Sequence, residues 1–164
     1  MRIALSNRVT SVLLASATAL LAAGCGSDPL APSEVAGTYV LLSIDGNPLP
    51  ADAGYSGPAD EAIEVVADTL RLAADGTGSI VTIQETIDYP ASGDTSRTRL
   101  ESTLHFTTSE SGIAITFDCP PNALMLCAAG PHMTARLSAT GLSATRLAGS
   151  QPRELAYAPV QRLD

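Results

Sequence analysis

Few residues in this chain have the types and spacing that carry chemistry. Its 164 residues include three cysteines and two histidines. Cys119, Cys127 and His132 form the pattern C-x₇-C-x₄-H. Structural zinc wants four ligands with paired cysteines two to four residues apart, and a redox thiol pair wants C-x-x-C. The chain shows neither. A general base needs a nucleophile within hydrogen-bond reach and an acid to orient it. His105 has Glu101 at i−4 and Thr103 at i−2, all on the polar side of an alternating run, which reads as a solvated strand position. Serines are abundant, but none lies in G-x-S-x-G. Asp52, Asp60, Glu61 and Glu64 crowd one stretch without the ordered spacing of a calcium loop. The reading is therefore of a non-enzyme with no catalytic residues, no metal ligands and no cofactor.

Charge narrows the partners. Nine arginines face 17 acids, a net charge of −8. A protein that grips nucleic acid must displace counterions with a basic surface, so nucleic acid is excluded as a partner. Electrostatic docking to anionic lipid is excluded on the same ground.

The N-terminus supplies an address. Arg2 and Arg8 precede the apolar or small stretch VTSVLLASATALLAA, which leads to Gly24-Cys25. A charged start, an apolar middle and a small-residue cleavage site make a secretory signal helix. The middle is short of the about 20 apolar residues a membrane span needs. Leu21-Ala22-Ala23-Gly24-Cys25 resembles the lipobox of bacterial lipoproteins. The resemblance implies cleavage after residue 24 and a diacylglycerol on the Cys25 thiol. An ordinary signal peptide with an incidental cysteine is the alternative. Acyl chains contribute roughly 0.8 kcal/mol per buried CH₂, so two or three hold a protein firmly at a membrane. Gly26 stands where lipoproteins kept at the inner membrane carry Asp, which implies the outer membrane, facing periplasm or cell surface.

This divides the chain into a signal peptide (1–24), a lipidated cysteine with a flexible tether (25–34) and one domain (35–164). The tether, GSDPLAPSE after the cysteine, is small, polar and proline-bearing. In an exported chain the two remaining cysteines, Cys119 and Cys127, read as one disulfide. It would close a nine-residue ring worth about 2.5 kcal/mol by chain-entropy reasoning.

The elements that must position these residues are strands. From Gly37 the chain alternates apolar and polar residues between turn signals, with no amphipathic helix. Gly37–Ile44 is the first strand, ended by Asp45-Gly46; residues 48–61 form a long acidic loop. Leu70 and Leu72 then share one face, and Ala74-Asp75-Gly76 turns the chain. The next strand has an apolar face of Val81, Ile83, Ile87 and Tyr89 and a polar face of Thr82, Gln84, Thr86 and Asp88. Leu100, Leu104 and Phe106 face one way after it, then Ile113, Ile115 and Phe117. Met133–Leu137, Leu142–Ala148 and Glu154–Val160 complete about eight strands. Short hairpins between antiparallel strands predict an all-β fold, an up-and-down barrel or alternatively a β-sandwich. Closure is favoured because it removes exposed edges.

GTYVLLSIDGNPLP, DTLRLAADGTGSI, LHFTTSESGIAITF and LAYAPV resemble the small lipocalin-like domains of bacterial envelope lipoproteins, with Tyr39 where true lipocalins have Trp. The resemblance spans Val35 to about Gln161 and implies an eight-stranded barrel. The expected function is a lipid-anchored cell-envelope protein that recognises a protein partner or a small apolar ligand through barrel mouth and loops. The acidic loop 50–61 and the Cys119–Cys127 lobe are the candidate surfaces. The alternative is a protein-directed, protease-type inhibitor presenting the bridged 119–127 loop; a hydrolase using His105 or His132 comes third.

Overall fold

Alternating side chains give each strand one wall-forming face and one interior face, and the hairpins wrap these strands into a single sheet. A computed structural model of the chain describes residues 30–54, 61–88, 95–118, 132–148 and 151–160. A single helical turn α1 (Pro32–Val35) leads into β1 (Gly37–Ile44), β2 (Asn47–Pro48), β3 (Ala51–Asp52), β4 (Glu61–Leu72) and β5 (Thr77–Asp88). Then come β6 (Thr95–Ser109), β7 (Gly112–Phe117), β8 (Met133–Ser138), β9 (Gly141–Ala148) and β10 (Gln151–Pro159). The sheet runs β1-β10-β9-β8-β7-β6-β5-β4, all antiparallel, and β4 pairs back onto β1 through Gly37↔Leu72 to Val40↔Thr69. That last pairing closes an eight-stranded barrel, so the sandwich alternative falls. β2 and β3, two residues each, lie in the stretch expected to be turn and then plain loop, and pair with β1 and β4.

The barrel has two unlike ends. At one end the interior is apolar and full. Leu70, Leu104, Ile113, Ile115, Met133 and Leu142 are essentially without solvent contact. Val35 of α1 is fully buried among them, and Leu30 packs against the same core. The Tyr39 hydroxyl donates to the Val35 carbonyl at 2.9 Å, which fixes the turn across the barrel floor. Burial pushes the Tyr39 pKa up. The end of the expected tether is thus drawn onto the barrel as its floor. The Val160 N–H donates to Thr38 O at 2.8 Å at the same end. The β4–β5, β6–β7 and β8–β9 turns are here too; at the first, Asp75 Oδ1 accepts from the Thr77 backbone at 3.0 Å and its hydroxyl at 2.7 Å, with Gly76 at φ +85°.

At the other end the interior turns polar. β4 carries Asp68 inward, β5 carries Thr82 and Gln84, β9 carries Arg146 and β10 carries Arg153. The connections after β3, β5, β7 and β9 leave from this end. Here the sequence expectation for β5 is corrected. The interior takes Ile80 and Thr82, while Val81 and Ile83 stand half-buried on the outer wall opposite Glu101 and Arg99. Register explains it. Leu104 and Ile80 must both face inward for the long hairpins to close on Leu70 and Leu72, and in a strand that choice sends every odd residue outward.

Candidate functional site: the open end of the barrel

The site is built from interior positions of β4, β5, β6, β7 and β9. β6 is long and pairs with β7 only from Leu104 downward, so its upper half rises above the end of β7 at Phe117. The wall is therefore lower on that side, and a recess of about 380 Å³ opens between Ile63, Thr82, Gln84, Leu100, Ser102, Phe117 and Arg146. Leu100 is 45 % exposed there. Deeper in, beside Asp68, Tyr157 and Leu155, the remaining void is about 30 Å³. That is room for about one water molecule. Below the recess the barrel is filled with side chains, as eight strands allow.

Asp68 anchors the polar layer. It is 5 % exposed, and both of its oxygens are occupied: the Thr82 hydroxyl donates to Oδ2 at 2.6 Å and the Tyr157 hydroxyl donates to Oδ1 at 3.2 Å. Burial raises its pKa above the usual carboxylate value; the two hydroxyls and the charge of Arg146 oppose this without overcoming it. The Tyr157 hydroxyl is pushed well up by its own burial and then by the neighbouring carboxylate.

Arg146 sits above this layer with its guanidinium carbon 5.0 Å from the centroid of the Phe117 ring. Phe117 in turn stacks on His132, with centroids 5.6 Å apart and planes 20° from parallel. The Phe117 N–H donates to His132 Nδ1 at 2.9 Å, so that nitrogen carries no proton. The result is a column of imidazole, phenyl ring and guanidinium along one side of the recess. Cation–π attraction holds Arg146 in place while leaving its N–H edges open. Among the described residues Arg146 makes no hydrogen bond and no salt bridge.

Next to this column, on the neighbouring strand and directly across from Arg146 in the β9–β10 register, Arg153 closes the open end. Its Nη2 donates to Asp52 O at 2.9 Å, its Nη1 reaches Asp52 Oδ2 at 3.4 Å, and Nε lies 2.7 Å from Asp45 Oδ2, off the N–H axis. Asp45 Oδ1 accepts the Glu154 N–H at 2.7 Å. These contacts fold the β1–β3 segment across that side, with Ala51 and Ala53 buried beneath it.

The residues singled out from sequence fall as follows. Cys25, Asp60 and the whole 119–127 lobe, with Cys119 and Cys127, lie outside the described residues. That lobe leaves β7 at Asp118, whose N–H donates to Thr103 O, and returns at His132, whose N–H donates to Ile115 O, both at 2.9 Å and both beside the recess. His105 is on the outer wall, with Nε2 3.3 Å from Asp118 Oδ1 in solvent. Asp52 is engaged by Arg153, and Glu64 lies opposite Asp52 in the β3–β4 register. Tyr39 is on the floor, away from the recess.

Sequence reasoning missed Asp68, Thr82, Gln84 and Arg146. The signal was there for two of them: Asp68 continues the period of Leu70 and Leu72, and Arg146 continues that of Leu142 and Ala144. A charged residue in phase with an apolar face must be held inside. A second concavity of about 480 Å³ crosses the outer wall over β7, β8 and β9, between Ser109, Thr134, Arg136 and Thr145. It is larger, but its side chains are mostly exposed hydroxyls with an exposed arginine, whereas the recess is lined by apolar side chains and a half-buried arginine, so the recess is the better site. No protein-family model, no curated protein and no solved structure matches this chain.

Proposed function

We propose that this protein is a non-enzymatic, lipid-anchored component of the bacterial cell envelope that recognises a protein partner or a small apolar ligand through the mouth and loops of its barrel. The observation that carries the reading is the recess of about 380 Å³ at the open end of an otherwise filled barrel. Ligand pockets run from about 300 to 1,000 Å³ and are mostly apolar with a few placed polar groups. The strand order supports the lipocalin-like reading, since each wall strand pairs with its neighbour in the chain. The lipobox-like Leu21–Cys25 supports the anchor, and Gly26 after it supports an outer-membrane address. The chain enters the barrel through Leu30–Val35 at the floor, so a tether from Cys25 would present the mouth away from the bilayer.

Two measurements test this. Titrating the full chain with the neutral fluorophore N-phenyl-1-naphthylamine should give saturable binding, which Leu100→Arg weakens at least about tenfold by putting a charge on the apolar rim. Saturation equal in both proteins counts against the mouth as the site. Radiolabelled palmitate should enter the wild-type chain in cells and not Cys25→Ser; labelling of both would remove the anchor.

The inhibitor reading keeps one supporting observation: the 119–131 segment leaves and rejoins the barrel beside the recess. Inhibition of a protease that deleting residues 120–126 abolishes would favour it. An unchanged panel of proteases would dismiss it.

A further inference from the structure

Resting on the reading of the open end as a binding site, we infer that its ligand is a small organic anion, a carboxylate on an apolar body, with the charged end on Arg146 and the body against Leu100, Ile63 and Phe117.

The inference starts from how this fold treats its other arginines. Arg153 is held by Asp45 and Asp52, Arg97 by Glu85 and Arg99 by Glu101. Arg71 and Arg136 are exposed to water. Arg146 alone among the described arginines points into the barrel without an acceptor. A guanidinium carries five N–H donors, and here its attractions are the Phe117 ring and the charge of Asp68, neither of which accepts a hydrogen bond from it among the described residues. The nearest carboxylate does not supply the need. Asp68 has both oxygens committed to Thr82 and Tyr157, and it forms no salt bridge with Arg146. Phe117 holds the guanidinium from one face, which leaves the edge free for a planar, two-oxygen acceptor; carboxylate matches that fork.

The rest of the lining agrees. Gln84 and Ser102 face the recess and make no side-chain hydrogen bond among the described residues, so both can donate to the same anion. The remaining surface is hydrocarbon from Ile63, Ile80, Leu100 and Phe117. At roughly 30 Å³ per heavy atom, about a dozen atoms fill the space. A purely apolar occupant would leave Arg146, Gln84 and Ser102 desolvated and unpaired. A cationic one would meet Arg146 at close range.

The test compares three probes of one length, decanoate, decanol and decylammonium, by calorimetric titration of the full chain. Wild type should bind decanoate at least about tenfold more tightly than decanol, with decylammonium weakest. Arg146→Gln should bring decanoate to within about twofold of decanol, with an unchanged far-UV circular dichroism spectrum showing that the variant is folded. Arg146→Lys, which keeps charge but loses the fork, should retain part of the preference. Arg136→Gln, on the outer wall, should change nothing. Equal binding of decanoate and decanol by wild type overturns the inference yet leaves the mouth as a binding site. The same loss in Arg136→Gln as in Arg146→Gln also overturns it, since the effect would then be one of general charge. Binding of none of the three probes removes both the inference and the function it rests on. Should Arg146→Gln not fold, the wild-type ratio of decanoate to decanol decides alone.

Discussion

Replacing Thr82 with Val keeps the shape of a buried side chain and deletes one hydrogen atom's worth of function. The Thr82 hydroxyl donates to Asp68 at 2.6 Å, and the two residues are 7 % and 5 % exposed. Hydrogen bonds to charged groups contribute roughly 1.5–3 kcal/mol, and this one has the short length of the charge-assisted kind. The adjoining void of about 30 Å³ holds about one water, and Thr82 also lines the recess, so a water that takes over the donation brings the loss toward the lower end of this range. The expected loss at about pH 7 is therefore roughly 1.5–3 kcal/mol, read as a lower urea midpoint by far-UV circular dichroism at unchanged slope. The pH dependence is the sharper part. The folded-state pKa of Asp68 is raised, so its contribution to stability is fully present below the unfolded value of 3.8 and is lost as pH rises through the folded value. Thr82 is one of the groups that lower this pKa, so Thr82→Val raises it further and enlarges the loss at neutral pH. Near pH 3.5, with Asp68 protonated, only a neutral hydrogen bond is missing, and the deficit should shrink to about 0.5–1.5 kcal/mol. A deficit that is the same at both pH values, or below about 0.5 kcal/mol at pH 7, would refute the idea that a desolvated carboxylate sits at the heart of the polar layer.

Three other outcomes follow from the same coordinates. Asp68→Asn should raise the urea midpoint at neutral pH, because burial dominates the carboxyl's shift, and the gain should vanish below the unfolded value of 3.8. Leu104→Ala, at a position 1 % exposed, should cost about 2–5 kcal/mol in thermal unfolding; a smaller cost would mean the core collapses around the gap. Arg153→Ala should leave the floor unaffected but speed amide exchange selectively across residues 45–54, since that side chain ties Asp45 and Asp52 to β10; uniform exchange rates would argue against the clamp.

The fold was legible because its evidence is local. Gly37–Ile44 was delimited by a glycine and an Asp-Gly turn, and Leu70/Leu72, Ile113/Ile115 and Leu155/Tyr157 announced their inward faces by plain alternation. β5 was misread for a physical reason. Both of its faces carry substantial apolar atoms, so period two gives the strand but not the side that faces in; β4 and β6 decide that through register. The site was harder. Asp68 and Arg146 belong to strands far apart in sequence, and only closure of β4 onto β1 carries them to one end of one cavity. Gln84 looked like a solvent-facing polar residue because a barrel mouth is wet on the inside; Ser102, in phase with Leu100 and Leu104, was not singled out. The lipid and disulfide assignments of Cys25, Cys119 and Cys127 rest on sequence alone, since those positions lie outside the described residues.

The stitch between Val160 and Thr38 lays the first and last strands side by side, 2.8 Å from donor to acceptor. Head and tail of the described polypeptide are therefore neighbours, and the ring of strands has no privileged starting point. A short glycine linker joining them, with new ends cut at the exposed Ala139-Thr140 turn, should produce a permuted chain that rebuilds the same cylinder with every wall pairing kept.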